Sequence, residues 1–254
     1  MLFEVTLSGV TLGGMYALVA MGLTLQYGVA RIMNLSYGEL LVAAAFAALS
    51  FYTGMAVSPL IGLIVVPPLA FALSFAIYRV LLQPLVRRAR TRDALEVDSI
   101  LATFGLLFVI QGVMLAIFGG AYYSYSFLAV PLQIAGATVA ANRLLSLVLA
   151  VVIGVGLYLG LTRTRIGTAV RAVAVDPVAA ELVAIDVRTA SALAFALGGA
   201  LVAASGVLVS MFLTFNANLG VVFTLKALVV VIMGGVGNLL GALIAGLLLG
   251  LVEN

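Results

Sequence analysis

The chain has 254 residues, of which 65% are hydrophobic and only 8% are charged, and its net charge is +3. Because a soluble domain carries about 25% charged residues, this chain has too few polar side chains to cover a soluble globule. It contains no cysteine and no histidine, which excludes disulfides, thiol catalysis, histidine metal ligands and histidine proton shuttles. Composition therefore predicts an all-α, polytopic membrane protein.

Apolar runs of bilayer-spanning length recur along the whole chain. The predicted membrane segments, in chain order, lie at residues 5–28, 40–52, 59–82, 99–118, 144–161, 189–213 and 222–251. Pro67 and Pro68 should kink the third segment. The first residues lack the basic region of a cleaved signal peptide, so the first segment is predicted to stay in the protein. We expect one transmembrane domain covering residues 1–254.

Arginines are concentrated in two segments between the predicted spans. The first segment reads QPLVRRARTRDALEVD and is predicted to be an aqueous loop, and the second covers residues 163–188. The arginines in or beside them are Arg79, Arg87, Arg88, Arg90, Arg92, Arg163, Arg165, Arg171 and Arg188. By the positive-inside rule both segments are cytoplasmic. The segment 121–142 then faces outside, where LQIAGATV around Gly136 predicts a small hairpin.

Two polar or glycine-rich breaks interrupt the apolar segments. The first reads IMNLSYGELL at 32–41, and the second reads IMGGVGNLLG at 232–241. Paired broken helices indicate a binding site or pathway in transporters, because the freed backbone groups must face protein or a water-filled cavity. The candidate translocation-path residues are Asn34, Ser36, Tyr37, Gly38, Glu39, Gly234, Gly235 and Asn238.

Some of these residues have a structural interpretation as well. Glu39 is the only acidic residue between Glu4 and Asp93, and ionisable groups inside membranes are usually functional. It either contacts the solute or orders the broken helix, and a carboxylate at a helix start is also favoured by the helix dipole alone. For the glycines at 234, 235 and 237, close helix packing is favoured over a role in the pathway.

The cytoplasmic segment contains the features of a short docking helix. Asp176 suits an N-cap and Pro177 the first helical position. Two helical turns from there would place Val178, Leu182 and Ile185 in one apolar stripe, with Glu181 on another face. Such a short helix is marginal alone in water. Its composition favours docking into a groove on a partner protein over lying on the bilayer surface.

Several motifs resemble the LivH/LivM permeases of branched-chain amino acid ABC importers. TRTRIGTAVRAVAVDPVAAELVAIDV resembles the family's coupling segment, and RIMNLSYGELLVAAAF is similar to its M-N-[LF]-[AS]-x-G-E motif. GVTLGGMYALVAMGLTLQYG and LKALVVVIMGGVGNLLGALIAGLLLGLVE resemble its opening helix and its glycine-rich late segment. The resemblance covers nearly the whole chain in order, and the M-N-L-x-x-G-E form favours the LivH type.

The resemblance implies a type II-like ABC importer permease with broken helices and a cytoplasmic coupling helix. Such a subunit is no enzyme, and it would move branched-chain or related small amino acids across the bacterial cytoplasmic (inner) membrane. The implied partners are a second, LivM-like permease, two ABC ATPases that bind the ATP, a periplasmic or extracellular solute-binding protein and membrane lipid. No cofactor, metal or nucleic acid is expected. The implied ATPase-coupling residues are Asp176, Pro177, Val178, Ala180, Glu181, Leu182 and Ile185.

The chain departs from the family pattern in three places. Ala184 stands where the family usually has glycine, which should stiffen the exit of the coupling helix, and Tyr37 replaces a frequent histidine. The chain ends at Asn254, whereas relatives usually continue, so we expect their final span to be absent here.

Three alternative functions remain open at this stage. One is an ABC permease for another small polar solute, such as urea or a short amide. A secondary transporter or channel is disfavoured because few ionisable groups, chiefly Glu39, Glu4 and Lys226, fall in apolar segments. An intramembrane enzyme is disfavoured because cysteine and histidine are absent and no paired carboxylates lie in the spans.

Overall fold

Helices make up nearly all of the secondary structure in the computed structural model, which describes residues 2–55, 58–89, 91–134 and 137–254. The helices are α1 (Leu2–Ala30), α2 (Tyr37–Met55), α3 (Pro59–Ile77), α4 (Gln83–Arg88), α5 (Arg92–Phe118), α6 (Ala141–Arg163), α7 (Arg165–Val175), α8 (Pro177–Leu182), α9 (Val187–Ser210), α10 (Gly220–Gly234) and α11 (Leu239–Glu253). Two short strands, β1 (Pro131–Ile134) and β2 (Ala137–Ala140), pair antiparallel. The all-α, polytopic prediction is confirmed.

Within the described ranges, six helical segments are long and apolar enough to cross a membrane. They are Val5–Ala30, Tyr37–Met55, Pro59–Arg88, Asp93–Phe118, Ala141–Arg163 and Val187–Ser210. α10 and α11 are shorter apolar helices, and the turn between them is the second of the predicted breaks.

The segment predicted as an aqueous loop is largely helical. α3 continues through Pro67 and Pro68, and a π-helical turn at Tyr78–Leu82 joins it to α4. α5 begins soon afterwards, where the side chain of Thr91 accepts a hydrogen bond from the N–H of Ala94 at 3.2 Å. The loop prediction was wrong because the charged residues belong to helix ends that project beyond the apolar spans.

α9 is the central helix of the bundle, packed against α1, α2 and α3. Its sequence is rich in alanine, glycine and serine, which lets neighbouring backbones approach closely in a membrane. At Gly206, for example, a Cβ would overlap the carbonyl oxygen of Leu41 in α2. Its small side chains therefore allow α9 to pack at the centre of the bundle.

α11 packs along α1 through a similar close contact. Gly246 and Gly250 lie four residues apart and contact the backbone of Ala17 and Gly13, the small-xxx-small arrangement of membrane helix pairs. The ammonium group of Lys226 in α10 pairs with the carboxylate of Glu253. These contacts join α1, α10 and α11 into one layer.

The two arginine-rich segments lie at the same end of the bundle. There the hydroxyl of Tyr27 donates to Glu96 at 2.8 Å, and the guanidinium of Arg31 donates to the carbonyl of Ala174 at 3.4 Å. At the opposite end, Tyr123 and Phe215 exchange two backbone hydrogen bonds of 2.8 and 3.0 Å. This arrangement agrees with the predicted topology. The strands of the predicted hairpin are observed, and its Gly136 lies outside the described residues.

Candidate translocation site and coupling surface

The first break brings the start of α2 into the interior of the bundle. α1 ends at Ala30, and Arg31 takes a left-handed conformation with φ of 56°. The chain then returns, so that the buried hydroxyl of Tyr37 lies 3.0 Å from the carbonyl oxygens of both Val19 and Gly198. Since these carbonyls belong to the central parts of α1 and α9, α2 begins about halfway along both helices.

A buried network of side-chain amides holds the returning chain. The side-chain NH2 of Gln26 donates to the carbonyl of Phe195 at 2.8 Å, and that of Asn34 donates to the amide oxygen of Gln26 at 3.2 Å. The oxygen of Asn34 in turn accepts from the N–H of Ser36 at 3.1 Å and from its hydroxyl at 2.7 Å. Because buried polar groups are costly unless they are paired, this network specifies one conformation of the break.

Two threonines from other helices satisfy backbone groups that the break exposes. The hydroxyl oxygen of Thr103 in α5 accepts from the N–H of Leu35 at 3.1 Å. The hydroxyl oxygen of Thr224 in α10 accepts from the N–H of Gly38 at 2.8 Å. The break is thus held by α1, α5, α9 and α10, as expected for irregular backbone inside a membrane protein.

Gly38 and Glu39 form the contact between α2 and the first turn of α10. A Cβ on Gly38 would overlap the carbonyl oxygen of Gly220, so only glycine fits. Glu39 is fully buried, and its carboxyl group lies against the backbone of Gly220. Among the described residues its two oxygens have no hydrogen-bond partner. The carboxyl group faces the start of α10, where the helix dipole favours an anion.

The second break lies elsewhere in the fold. Gly235 and Gly237 have positive φ angles of 86° and 81°, and the exposed Asn238 caps α11 by accepting from the N–H of Gly241 at 3.0 Å. Gly234 follows Gly220 by 14 residues in α10, which places it about 21 Å along the helix from the contact with Gly38. The structure therefore brings Asn34, Ser36, Tyr37, Gly38 and Glu39 together, and it places Gly234, Gly235 and Asn238 at the other end of α10.

The short helix that the sequence predicts from Asp176 is present as α8 and begins as expected. The carboxylate of Asp176 accepts from the N–H groups of Val178 at 2.9 Å and Ala179 at 3.1 Å, and Pro177 is the first helical residue. This confirms the predicted cap. The predicted length was wrong, because α8 ends at Leu182 and Ala184 takes a left-handed φ of 61°.

The early end of α8 divides the predicted apolar stripe. Val178 and Leu182 point away from the protein and are 69% and 85% exposed. Ala180 is buried, and Ile185 packs beside it against Leu25 of α1 and its neighbours. The prediction that Val178, Leu182 and Ile185 share one exposed face is therefore corrected: Val178 and Leu182 form an outward surface, flanked by the exposed Glu181, and Ile185 anchors the segment.

Asp186 caps the start of α9 directly after this turn. Its carboxylate accepts from the hydroxyl of Thr189 at 2.5 Å and from the N–H groups of Thr189 at 3.2 Å and Arg188 at 3.0 Å. The hydrogen bond from the hydroxyl of Thr189 has the largest effect in holding the pKa of Asp186 below its usual value, and the hydrogen bond from the N–H of Thr189 adds to it. The left-handed Ala184 ends α8 itself, and the N–H of Ile185 donates back to the carbonyl of Ala180 at 3.1 Å.

Sequence reasoning missed four supporting features. It did not identify α7 as a helix, and it did not select Gln26, Thr103 or Thr224 as partners of the first break. A signal for the three side chains exists, because each is a polar residue inside an otherwise apolar run. Nothing local to them indicates that they converge.

Comparison with known proteins decides the family. The profile of the family described as "Branched-chain amino acid transport system / permease component" matches residues 5–254. The chain belongs to this permease family. No solved structure matches it at a significant level.

The permease is similar to several curated proteins over most of its length. It is 28% identical to the high-affinity branched-chain amino acid transport system permease protein BraD of Pseudomonas aeruginosa, over 97% of this chain and 83% of the relative. It is 27% identical, with the same coverage, to the corresponding LivH protein of Escherichia coli K12. A probable LivH of Methanocaldococcus jannaschii is 25% identical over 93% of this chain and 75% of the relative.

Family membership gives the class of activity. The permease is the membrane-spanning subunit of an ABC transporter and no enzyme, since ATP hydrolysis belongs to a separate subunit. The six spanning-length helices in the described part of the chain make it a multi-pass membrane protein.

Proposed function

We propose that this permease imports branched-chain or related small amino acids across the cytoplasmic membrane of a bacterium. It would act with a second, LivM-like permease, two ATPases that bind the ATP, and an external solute-binding protein, and would itself hold no cofactor. The match of residues 5–254 to the family of branched-chain amino acid transport permeases carries the proposal. The names of the similar proteins support the substrate class.

The outward surface of α8 is the proposed contact with the ATPase. Val178 and Leu182 are exposed on a helix whose start is fixed by Asp176 and Pro177. Large apolar side chains on a rigid helix suit insertion into a groove of a partner protein. Ala180 and Ile185 face the permease instead, where they pack in an apolar cluster with residues of α1 and α9.

The packing behind α8 connects this surface with the first break. Ala180 lies in one apolar cluster with Leu25 of α1 and Ala194 of α9. One residue further along α9, the carbonyl of Phe195 accepts the hydrogen bond from Gln26 that supports Asn34. A displacement of α8 by the ATPase would therefore be transmitted through α9 and α1 to the break.

The proposed translocation path begins at the first break and runs toward the cytoplasmic end of the bundle. Asn34, Ser36, Tyr37, Gly38 and Glu39 line the interior part of this path, where Glu39 holds the start of α2 against α10. Gly234, Gly235 and Asn238 stand near the cytoplasmic end of α1, because Gly237 packs within 2.9 Å of the position of a Cβ on Gly28.

Reconstitution with the partner subunits tests the proposal. Proteoliposomes that hold both permeases and both ATPases, with the binding protein outside, should accumulate labelled leucine, isoleucine or valine only when ATP is present inside. Preferential uptake of urea or a short amide would show that the substrate is not a branched-chain amino acid but another small polar solute. Uptake by the permease alone, without ATP, would contradict the ABC mechanism.

A further inference from the structure

A groove on the outer surface of the helical bundle belongs neither to the first break nor to the coupling surface. α6 and α11 both pack against α1, and the groove runs between them. Its floor includes Leu18 and Met21 of α1, and its walls include Val155 of α6 and Leu243 of α11. This part has a volume of about 290 Å³, and most of its lining is aliphatic.

The groove continues into a second cavity toward the cytoplasmic end. This cavity has a volume of about 240 Å³ and shares Tyr158, Leu239 and Leu240 with the first. Arg171 of α7 lines this cavity, and Gly237 and Asn238 of the second break line it as well. The groove is therefore apolar along the bundle and becomes polar and cationic at one end.

Tyr158 marks the level at which the character of the groove changes. It lines both cavities and is 40% exposed. Tyrosine rings are enriched at the membrane–water interface, where the ring contacts hydrocarbon and the hydroxyl contacts the headgroup layer. The apolar part thus lies at hydrocarbon depth and the polar end at headgroup depth.

The length of the groove matches one lipid leaflet. Along α6 the lining runs from Leu147 to Thr162, and these 15 steps of a helix correspond to about 22 Å. Half of a hydrocarbon core of about 30 Å, together with one headgroup layer, comes to roughly 20–22 Å. A single phospholipid of the cytoplasmic leaflet would fill the groove from headgroup to chain end.

The polar end offers hydrogen-bond donors that the protein does not use. No carboxylate among the described residues pairs with Arg171. The guanidinium group of an exposed arginine suits a phosphate, because it donates charge-assisted hydrogen bonds to the phosphate oxygens.

We propose that this groove binds one anionic phospholipid from the cytoplasmic leaflet. Its acyl chain lies between α6 and α11 on α1, and its phosphate contacts Arg171. The lipid connects α7, which precedes the coupling helix, with α1 and α11. The site depends only on the membrane orientation of the permease, and it is independent of which solute the transporter moves.

Native mass spectrometry of the purified full chain tests the headgroup contact. Phosphatidylglycerol and phosphatidylcholine are titrated separately, and one phosphatidylglycerol should be retained preferentially. Arg171→Gln should reduce this preference about fivefold, which is the contribution of one arginine near an anionic lipid surface. Arg163→Gln is the matched control, because Arg163 is exposed and does not line the groove, and it should keep the preference.

A second pair of variants tests the acyl-chain contact. Val155→Phe fills the groove and should lower retention of both lipids, whereas Val152→Phe, on the same helix but outside the groove lining, should not. Equal effects within either pair would show that only unspecific annular lipid binds, and would overturn the proposal. A photo-crosslinker at position 155 should label lipid in membranes; a crosslink to a second copy or to a partner protein would also overturn it.

Discussion

The buried carboxyl group of Glu39 lies directly against the backbone of Gly220, where α2 meets the first turn of α10. A Cβ on Gly220 would overlap this carboxyl group. Gly220→Ala should therefore force Glu39 to move and destabilise the permease by about 1–3 kcal/mol. Thermal unfolding in detergent measures the loss.

Two controls separate this contact from a general effect of alanine. Gly112→Ala in α5 places its Cβ in open space and should be neutral or slightly stabilising. The double variant Glu39→Ala/Gly220→Ala should recover part of the lost stability, because the shortened side chain leaves room for the methyl group. Full additivity of the two changes would contradict the contact.

The charge of Glu39 can be tested without changing its shape. Glu39→Gln should insert and assemble normally, and ATP-driven uptake should fall about tenfold if the interaction of the carboxylate with the start of α10 contributes roughly 1.4 kcal/mol to the state that transports. Uptake assays normalised to the amount of purified complex measure this. Wild-type uptake in this variant would mean that Glu39 only fills space at the helix start.

The exposed side chain of Leu182 tests the coupling surface. Leu182→Asp should place a charge in the ATPase groove and cost several kcal/mol of docking, while the apolar spans still insert. The permease should lose its ATPase during purification, and transport should stop. Leu182→Met keeps volume and apolarity and should be nearly silent. If the Leu182→Asp variant co-purifies with the ATPase and takes up substrate normally, α8 is only a connector between α7 and α9.

The left-handed conformation of Ala184 is strained. The left-handed conformation costs a residue with a Cβ about 1–2 kcal/mol of folding stability. Glycine avoids this cost, but its greater entropy in the unfolded chain lowers folding stability by about 0.4–1 kcal/mol. Ala184→Gly should therefore raise stability by roughly 0.5–1 kcal/mol, measured as an increase in Tm. Ala180→Gly, inside α8, should lower it by about 1 kcal/mol. A lower Tm for Ala184→Gly would contradict the observed turn.

Topology can be mapped easily because the chain has no cysteine. Single cysteines replacing the exposed Arg88 and Thr168 should react with a membrane-impermeant reagent only from the cytoplasmic side. A cysteine replacing Tyr122, which is 72% exposed, should react only from outside. Labelling of position 122 from the cytoplasmic side would invert the orientation.

The sequence alone determined the fold class, most spans and the location of the first break. An apolar chain with 8% charged residues can satisfy its backbone in lipid only by forming helices or a closed barrel, and the long apolar runs indicate helices. The cap at Asp176 was also readable, since capping is local chemistry between residues two or three positions apart.

The extent of α8 could not be read from the same segment. A periodic pattern continued to Ile185, but the left-handed conformation of Ala184 ends the helix at Leu182. The burial of Ile185 requires a neighbouring surface on α1 and α9. Periodicity describes which residues share a face of an uninterrupted helix, and it does not show where tertiary packing stops that helix.

Only the tertiary structure decided what holds the first break and how far it lies from the second. Asn34 depends on Gln26 and through it on the carbonyl of Phe195, while Gly38 depends on Thr224. Gln26 and Phe195 are 169 residues apart, and Gly38 and Thr224 are 186 residues apart. Such partners meet because small residues in α9 and glycines along α1 and α11 let the helices approach closely. This approach is a property of helix pairs, which the pattern within any one helix does not contain.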